Sequence, residues 1–213
     1  MPDLGFRAEG VEAVAYAAAP QLVFKLRVTN TPANEPIHAI ALRCQLRIDP
    51  TARTYTPGDK ARLVELFGEP SRWGQTLRSM LWTHAAAMVP AFEGEARFDL
   101  PVPCTFDFNI GATKYFYALE TGDIVVKLLF SGTIFYEGPA GSLQVAQVPW
   151  DRETEYRLPA AVWREMMAQY YPNSAWLCLP QDVFDRLYRF KSANGLPTWE
   201  QALERLLPAE ASP

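Results

Sequence analysis

The chain has 213 residues, enough for one large domain or two small ones. Hydrophobic residues make up 49% and charged residues 21%, a globular balance, and a net charge of −4 with no basic run argues against nucleic acid or anionic membrane as partners. No apolar run reaches the ~18 residues of a membrane helix, the N-terminus MPDLGFRAEGVEAVAYAAAP has no leader pattern, and three dispersed cysteines suit a reducing compartment; no membrane insertion and a cytoplasmic location are expected.

In chain order, QLVFKLRVT (21–29) alternates, with Leu22, Phe24, Leu26 and Val28 inward, and predicts a half-buried strand. EPIHAIALRCQLRI (35–48) alternates as well, placing His38, Ile40, Leu42, Cys44, Leu46 and Ile48 on one buried face and Arg43 and Arg47 outside. TPGDKARLVELF (56–67) predicts a helix, with Thr56 as cap, Pro57 at the first helical position and Gly68 as terminator. SMLWTHAAAMV (79–89) is apolar on both parities and suits a central strand, although periodicity leaves a helix open; as a strand it puts Trp82, His84, Ala86 and Met88 on one face.

Residues 95–102 and 104–110 alternate again, and 112–119 (ATKYFYAL) suits a short helical turn. DIVVKLLFSGTIFYE (123–137) is the strongest β segment, with Gly132 an expected bulge or bend. GPAG then turns the chain into SLQVAQVPW. Past residue 150 the texture changes. AAVWREMMAQYY (160–171), QDVFDRLYRFKSANG (181–195) and TWEQALERLL (198–207) have helical spacing, and SAWLCL (174–179) suits a short strand. The expected fold is α+β: an antiparallel β-sandwich or curled sheet over 1–150, with the helical region 151–213 packed on it as one domain.

The catalytic inventory is thin. The chain has no HExxH, CxxC, GxSxG or Walker loop, and with two histidines it cannot build a His-rich metal centre. Cys44, Cys104 and Cys178 with His38 or His84 would supply a Cys3His set, but none is paired at short spacing, and buried free thiols are the plainer reading. His38 and Cys44 stand six residues apart, roughly 20 Å along a strand, beyond the ~3 Å of a nucleophile and its base. Glu93, Glu95 and Asp99 read as exposed charges flanking a strand. No catalytic residue and no cofactor is assigned.

What remains is aromatic richness: six Trp, nine Tyr and twelve Phe. Trp73, Trp150 and Trp176 lie in or beside turns, and Trp150 is followed by Asp151 and Arg152. Trp, Tyr and Arg dominate protein interfaces. These five residues are therefore the candidate partner-binding positions, against the alternative that such aromatics pin helices onto the sheet.

The strings LRVTN (26–30), EPIHAIALRCQLRI (35–48), LFGEPSRWGQTLRSMLWTH (66–84), LPVPCTFDF (100–108), LLFSGTIF (128–135), VPWDRETEYRLPAAVWREMM (148–167) and LPTWEQALE (196–204) resemble an uncharacterised bacterial family, a domain of unknown function, over about residues 3–207. Genes of that family often lie beside nickel–iron hydrogenase genes. The resemblance implies a non-enzymatic accessory, assembly or scaffold role for a redox enzyme complex, with a hydrogenase subunit or maturation factor as protein partner. Two other classes stay open. One is a small-molecule or metal-handling protein with a pocket lined by Trp82, His84, Phe106, Phe108, Trp163 and Met167. The other is an enzyme of unrecognised class.

Overall fold

A computed structural model describes residues 1–105, 110–138, 141–174 and 177–207. The chain divides into two compact units, Met1–Ser174 and Ala175–Pro213. In the first, β1 (Asp3–Ala13), β2 (Gln21–Thr31) and β5 (Glu95–Pro103) form a three-stranded antiparallel sheet in the order β1-β2-β5. The second antiparallel sheet holds β3 (Ile37–Ile48), β4 (Met80–Val89), β6 (Asp123–Glu137), β7 (Leu143–Gln147) and β8 (Glu153–Pro159). β3 lies between β4 and β6, and the far side of the long β6 is shared by β8 at one end and β7 at the other.

The inward residues of both sheets form one core. Phe6 of β1 stacks on Phe130 of β6 at 4.3 Å, and Phe24 of β2 meets Trp82 and Tyr156 edge-on at 6.3 and 5.7 Å. Each such ring taken out of water contributes about 1.5–3 kcal/mol.

Helices close the remaining core. α1 (Pro57–Phe67) starts at a Thr56–Asp59 capping box, and its orphan end stops at Gly68, whose φ of 72° suits a residue without Cβ. Asp59 is fully buried: it accepts from the Thr56 and Glu120 N–H groups and lies 3.7 Å from the Arg53 guanidinium. A four-residue helix, α2 (Trp73–Thr76), leads into β4. α3 (Ile110–Ala118) is longer than the single turn expected; Arg62 donates to the carbonyl of its last residue, Ala118, and Arg164 to those of Leu119 and Glu120 just past it. α4 (Ala160–Tyr170) packs on β1, β2 and β8, with the Tyr170 hydroxyl donating to the Val14 carbonyl.

The α+β sandwich is therefore as expected, and β4 is a strand. The boundary is not near residue 150: β8 completes the β6 pairing and α4 covers the sandwich, so both belong to the first unit. Two faces differ as well. A register shift at His38 puts Ile37 into the core and His38 into solvent, and a bulge at Trp82 buries that ring while His84, Ala86 and Met88 face out. Gly132 causes no register shift. Its φ of 148° and a would-be Cβ colliding with the Ala41 carbonyl oxygen make it a site of close backbone approach instead.

The second unit holds α5 (Gln181–Ala193) and α6 (Trp199–Leu206), joined by a turn at Gly195. Phe184, Tyr188 and Trp199 cluster at 5.4–6.5 Å, and the Lys191 ammonium sits 5.4 Å over the Trp199 ring. Leu177–Leu179 are not strand. Phe106, Phe108 and Trp176 lie outside the described residues.

Candidate docking rim

β6 changes neighbour midway, from β8 to β7, and the chain must bridge the two with Val148–Arg152. Both ends of that bridge are hydrogen-bonded to β6: the Val148 N–H donates to the Gly132 carbonyl at 2.9 Å, and the Phe130 N–H donates to the Arg152 carbonyl at 2.8 Å. Arg152 is bound further, its guanidinium 2.5 Å from the Asp3 carboxylate on β1. Trp150 stands at the centre of this pinned loop and is 91% exposed. Asp151 beside it is exposed too.

The adjacent strand is apolar on its outward side. Leu143 and Val145 of β7 are 62% and 57% exposed, and Val145 pairs in register with the half-buried Phe135. Across β3 the same outer surface continues through Ala39 and Ala41 to Met88 of β4. The other end of this outer face is polar, with Arg43, Arg47 and Gln45, whose amide nitrogen lies 3.4 Å from the His84 Nε2.

The five expected partner-binding residues thus part company. Trp150 and Asp151 are open. Arg152 is a tie that holds the loop. Trp73 is a correction: it is 7% exposed, packs against Tyr55 and Phe67, and its indole N–H donates to the Gly68 carbonyl at 2.9 Å. It is a core residue, because distant aromatics converge on a turn that reads as open. Trp176 lies outside the described residues. Phe135 reads from the sequence as a strand residue, and Leu143 and Val145 only as residues following a turn; the exposure of β7 follows from its edge position, which pairing order decides.

Of the metal and nucleophile candidates, Cys44 sits in the core from β3 and Cys104 is buried after β5 in the other sheet; Cys178, in the second unit, is exposed. Burial pushes the Cys44 and Cys104 thiols up to about 12. Among the described residues no group of three or more His, Cys, Asp or Glu could hold a metal. Among the described residues, Trp82, Thr83, Cys104, Thr113, Phe116 and Trp163 line a gap of about 10 Å³, the size of one water. His84 is not part of it. A wider surface depression of about 570 Å³ beside Arg53 and Arg157 is built on a structural cation, since Arg53 already donates to the Thr121 and Asp123 carbonyls and faces Asp59.

A two-sheet α+β protein with an exposed indole at the rim of an open strand edge is the class these features define. The chain belongs to the DUF6084 family, a family of unknown function, whose model matches residues 1–213. No curated protein sequence matches it. Among solved structures it is similar to a late embryogenesis abundant (LEA) protein at 14% identity and a TM-score of 0.31, covering 75% of this chain and 72% of that one. A similar level is reached with the ApaA protein from Bordetella pertussis, at 13% identity and a TM-score of 0.24, covering 74% and 93%. A beta-glucosidase from Kluyveromyces marxianus matches at 8% identity and a TM-score of 0.29; this chain is covered to 73% and spans 15% of the glucosidase. No helix among the described residues is long and apolar enough to cross a membrane.

Proposed function

We propose that this protein is a non-enzymatic accessory or scaffold protein that acts by binding another protein at the Trp150 rim. The carrying observation is an indole 91% exposed on a loop hydrogen-bonded at both ends. A pinned loop has little freedom left to lose on docking, and a large aromatic on such a support is the residue type that anchors interfaces. Asp151 supplies a polar neighbour to that anchor. The family resemblance supports the partner class: a subunit or maturation factor of a redox enzyme complex such as nickel–iron hydrogenase, met in the cytoplasm.

The test is recovery of the tagged protein from its native host, with metal content read on the same sample. Wild type is expected to carry a stoichiometric protein partner. Trp150→Ala is expected to lower its recovery roughly tenfold or more, with unchanged thermal unfolding because the side chain is 91% exposed. Equal recovery by the variant, or bound metal with no protein partner, overturns the reading.

A further inference from the structure

The chain carries a net charge of −4, yet two stretches of it, 36–48 and 70–92, hold no Asp or Glu. Both histidines of the chain, His38 and His84, fall within them, together with Arg43, Arg47, Arg72 and Arg78. The fold sets the two stretches side by side, since the first becomes β3 and the second contains β4, its antiparallel neighbour. Alternation then places Arg43, Arg47 and His84 on the outer face of the second sheet, away from the core. A chain rich in acid thus keeps one lane of one sheet face free of carboxylates.

On the opposite sheet the outward cations of β2 and β5 are paired: Lys25 lies 2.7 Å from Glu12, Arg27 3.0 Å from Glu9 and Arg97 2.8 Å from Glu9. Beside β3, Lys127 of β6 lies 3.1 Å from Asp49. The arginines of β3 differ. Arg43 makes no hydrogen bond or ion pair among the described residues, and Arg47 donates to the Ser79 hydroxyl and carbonyl oxygens, both at 3.1 Å. Apolar side chains stand between these cations: Ala86 opposite Arg43, Leu81 opposite Arg47, and Met88, 65% exposed, opposite Ala41. On its other side Arg43 pairs with the exposed Ser131, which sits between Phe130 and Gly132, the two β6 residues that pin the Trp150 loop. Arg43 is therefore in line with the rim, two strand spacings or roughly 10 Å from it.

We propose that the protein partner anchored at Trp150 lays an acidic segment on this lane, with carboxylates on Arg43 and Arg47 and apolar side chains over Ala86, Met88 and Leu81. The proposal rests on the reading of the rim as a docking site and adds the chemistry of what docks there. Arg43 and Arg47 stand four residues apart, roughly 13 Å along β3, so they select carboxylates spaced by a similar length. A chain of net negative charge repels an acidic partner over most of its surface. The lane without carboxylates reverses that repulsion in one place, which fixes the orientation of docking as well as its strength. A nucleic acid would engage only the cations, and here they are few and set apart by alanine, leucine and methionine. A protein segment of mixed acidic and apolar residues engages both.

The experiment places a photo-activatable amino acid at the exposed position 86, beside Arg43, in the full chain in its native host, and a second sample carries it at position 150. Peptide mass spectrometry reads the adducts. Both positions are expected to capture the same protein, and the segment joined to position 86 is expected to be rich in Asp and Glu. Arg43→Glu is expected to lower that adduct roughly tenfold or more, and Arg43→Lys to keep it. Both variants keep the wild-type Tm, because the Arg43 side chain is exposed. Exchanging the acidic residues of the captured segment for lysine is expected to restore the adduct to Arg43→Glu, which a merely structural role of Arg43 would not allow. The proposal is overturned by a captured segment without acidic residues, by an RNA adduct, by a yield that Arg43→Glu leaves unchanged, or by capture at position 150 with none at position 86. In that last case the rim reading stands alone; with no protein captured at either position, both fall.

Discussion

Burial decides what each tryptophan and cysteine of this chain can do. Trp73 and Trp150 look alike in the sequence, each beside a proline-containing turn. They separate because Tyr55 and Phe67 converge on Trp73 and the Gly68 carbonyl takes its N–H, whereas Trp150 stands in solvent. The thiols part in the same way. Cys44 and Cys104 are buried with thiols held at about 12, so their reactive thiolates form only as the pH approaches that value. Cys178 is exposed. A thiol reagent is therefore expected to label Cys178 quickly and leave Cys44 and Cys104 untouched at about pH 7 and about pH 9 alike. Peptide mass spectrometry reads the result; fast labelling of either buried thiol in the folded protein contradicts it.

Alternation names the strands well and their faces less well. The buried side of β3 reads correctly from Ile40 to Ile48, since a one-residue slip would expose that whole set. His38 and Trp82 escape the pattern because each sits at a bulge, where period two breaks for reasons held in the partner strand. The edge position of β7 escapes too: it depends on β6 running long enough to take β8 and β7 in turn. Gly132 lies where that exchange of neighbours occurs. Gly132→Ala is expected to cost about 3 kcal/mol or more in urea unfolding, since it combines a positive φ with a clash against the Ala41 backbone. Gly74→Ala in α2 meets open space and is expected to be neutral or slightly stabilising. Equal effects of the two would contradict the close approach of β6 and β3.

At the scale of the molecule, strands followed by helices were enough to read an α+β sandwich, and the texture change near residue 150 was visible. The unit boundary was not, because β8 and α4 look in sequence like the start of the helical region and are held by β6 and β1 in space. Function follows the same division. The rim at Trp150 carries the account. Its central claim is best met by placing a photo-activatable amino acid at position 150, with the exposed Asp99 position on the opposite sheet as control. Irradiated cells are expected to give one dominant adduct to a different protein from position 150 and none from position 99. No adduct at position 150, or an adduct only with a second copy of this chain, would contradict the claim that Trp150 anchors a protein partner.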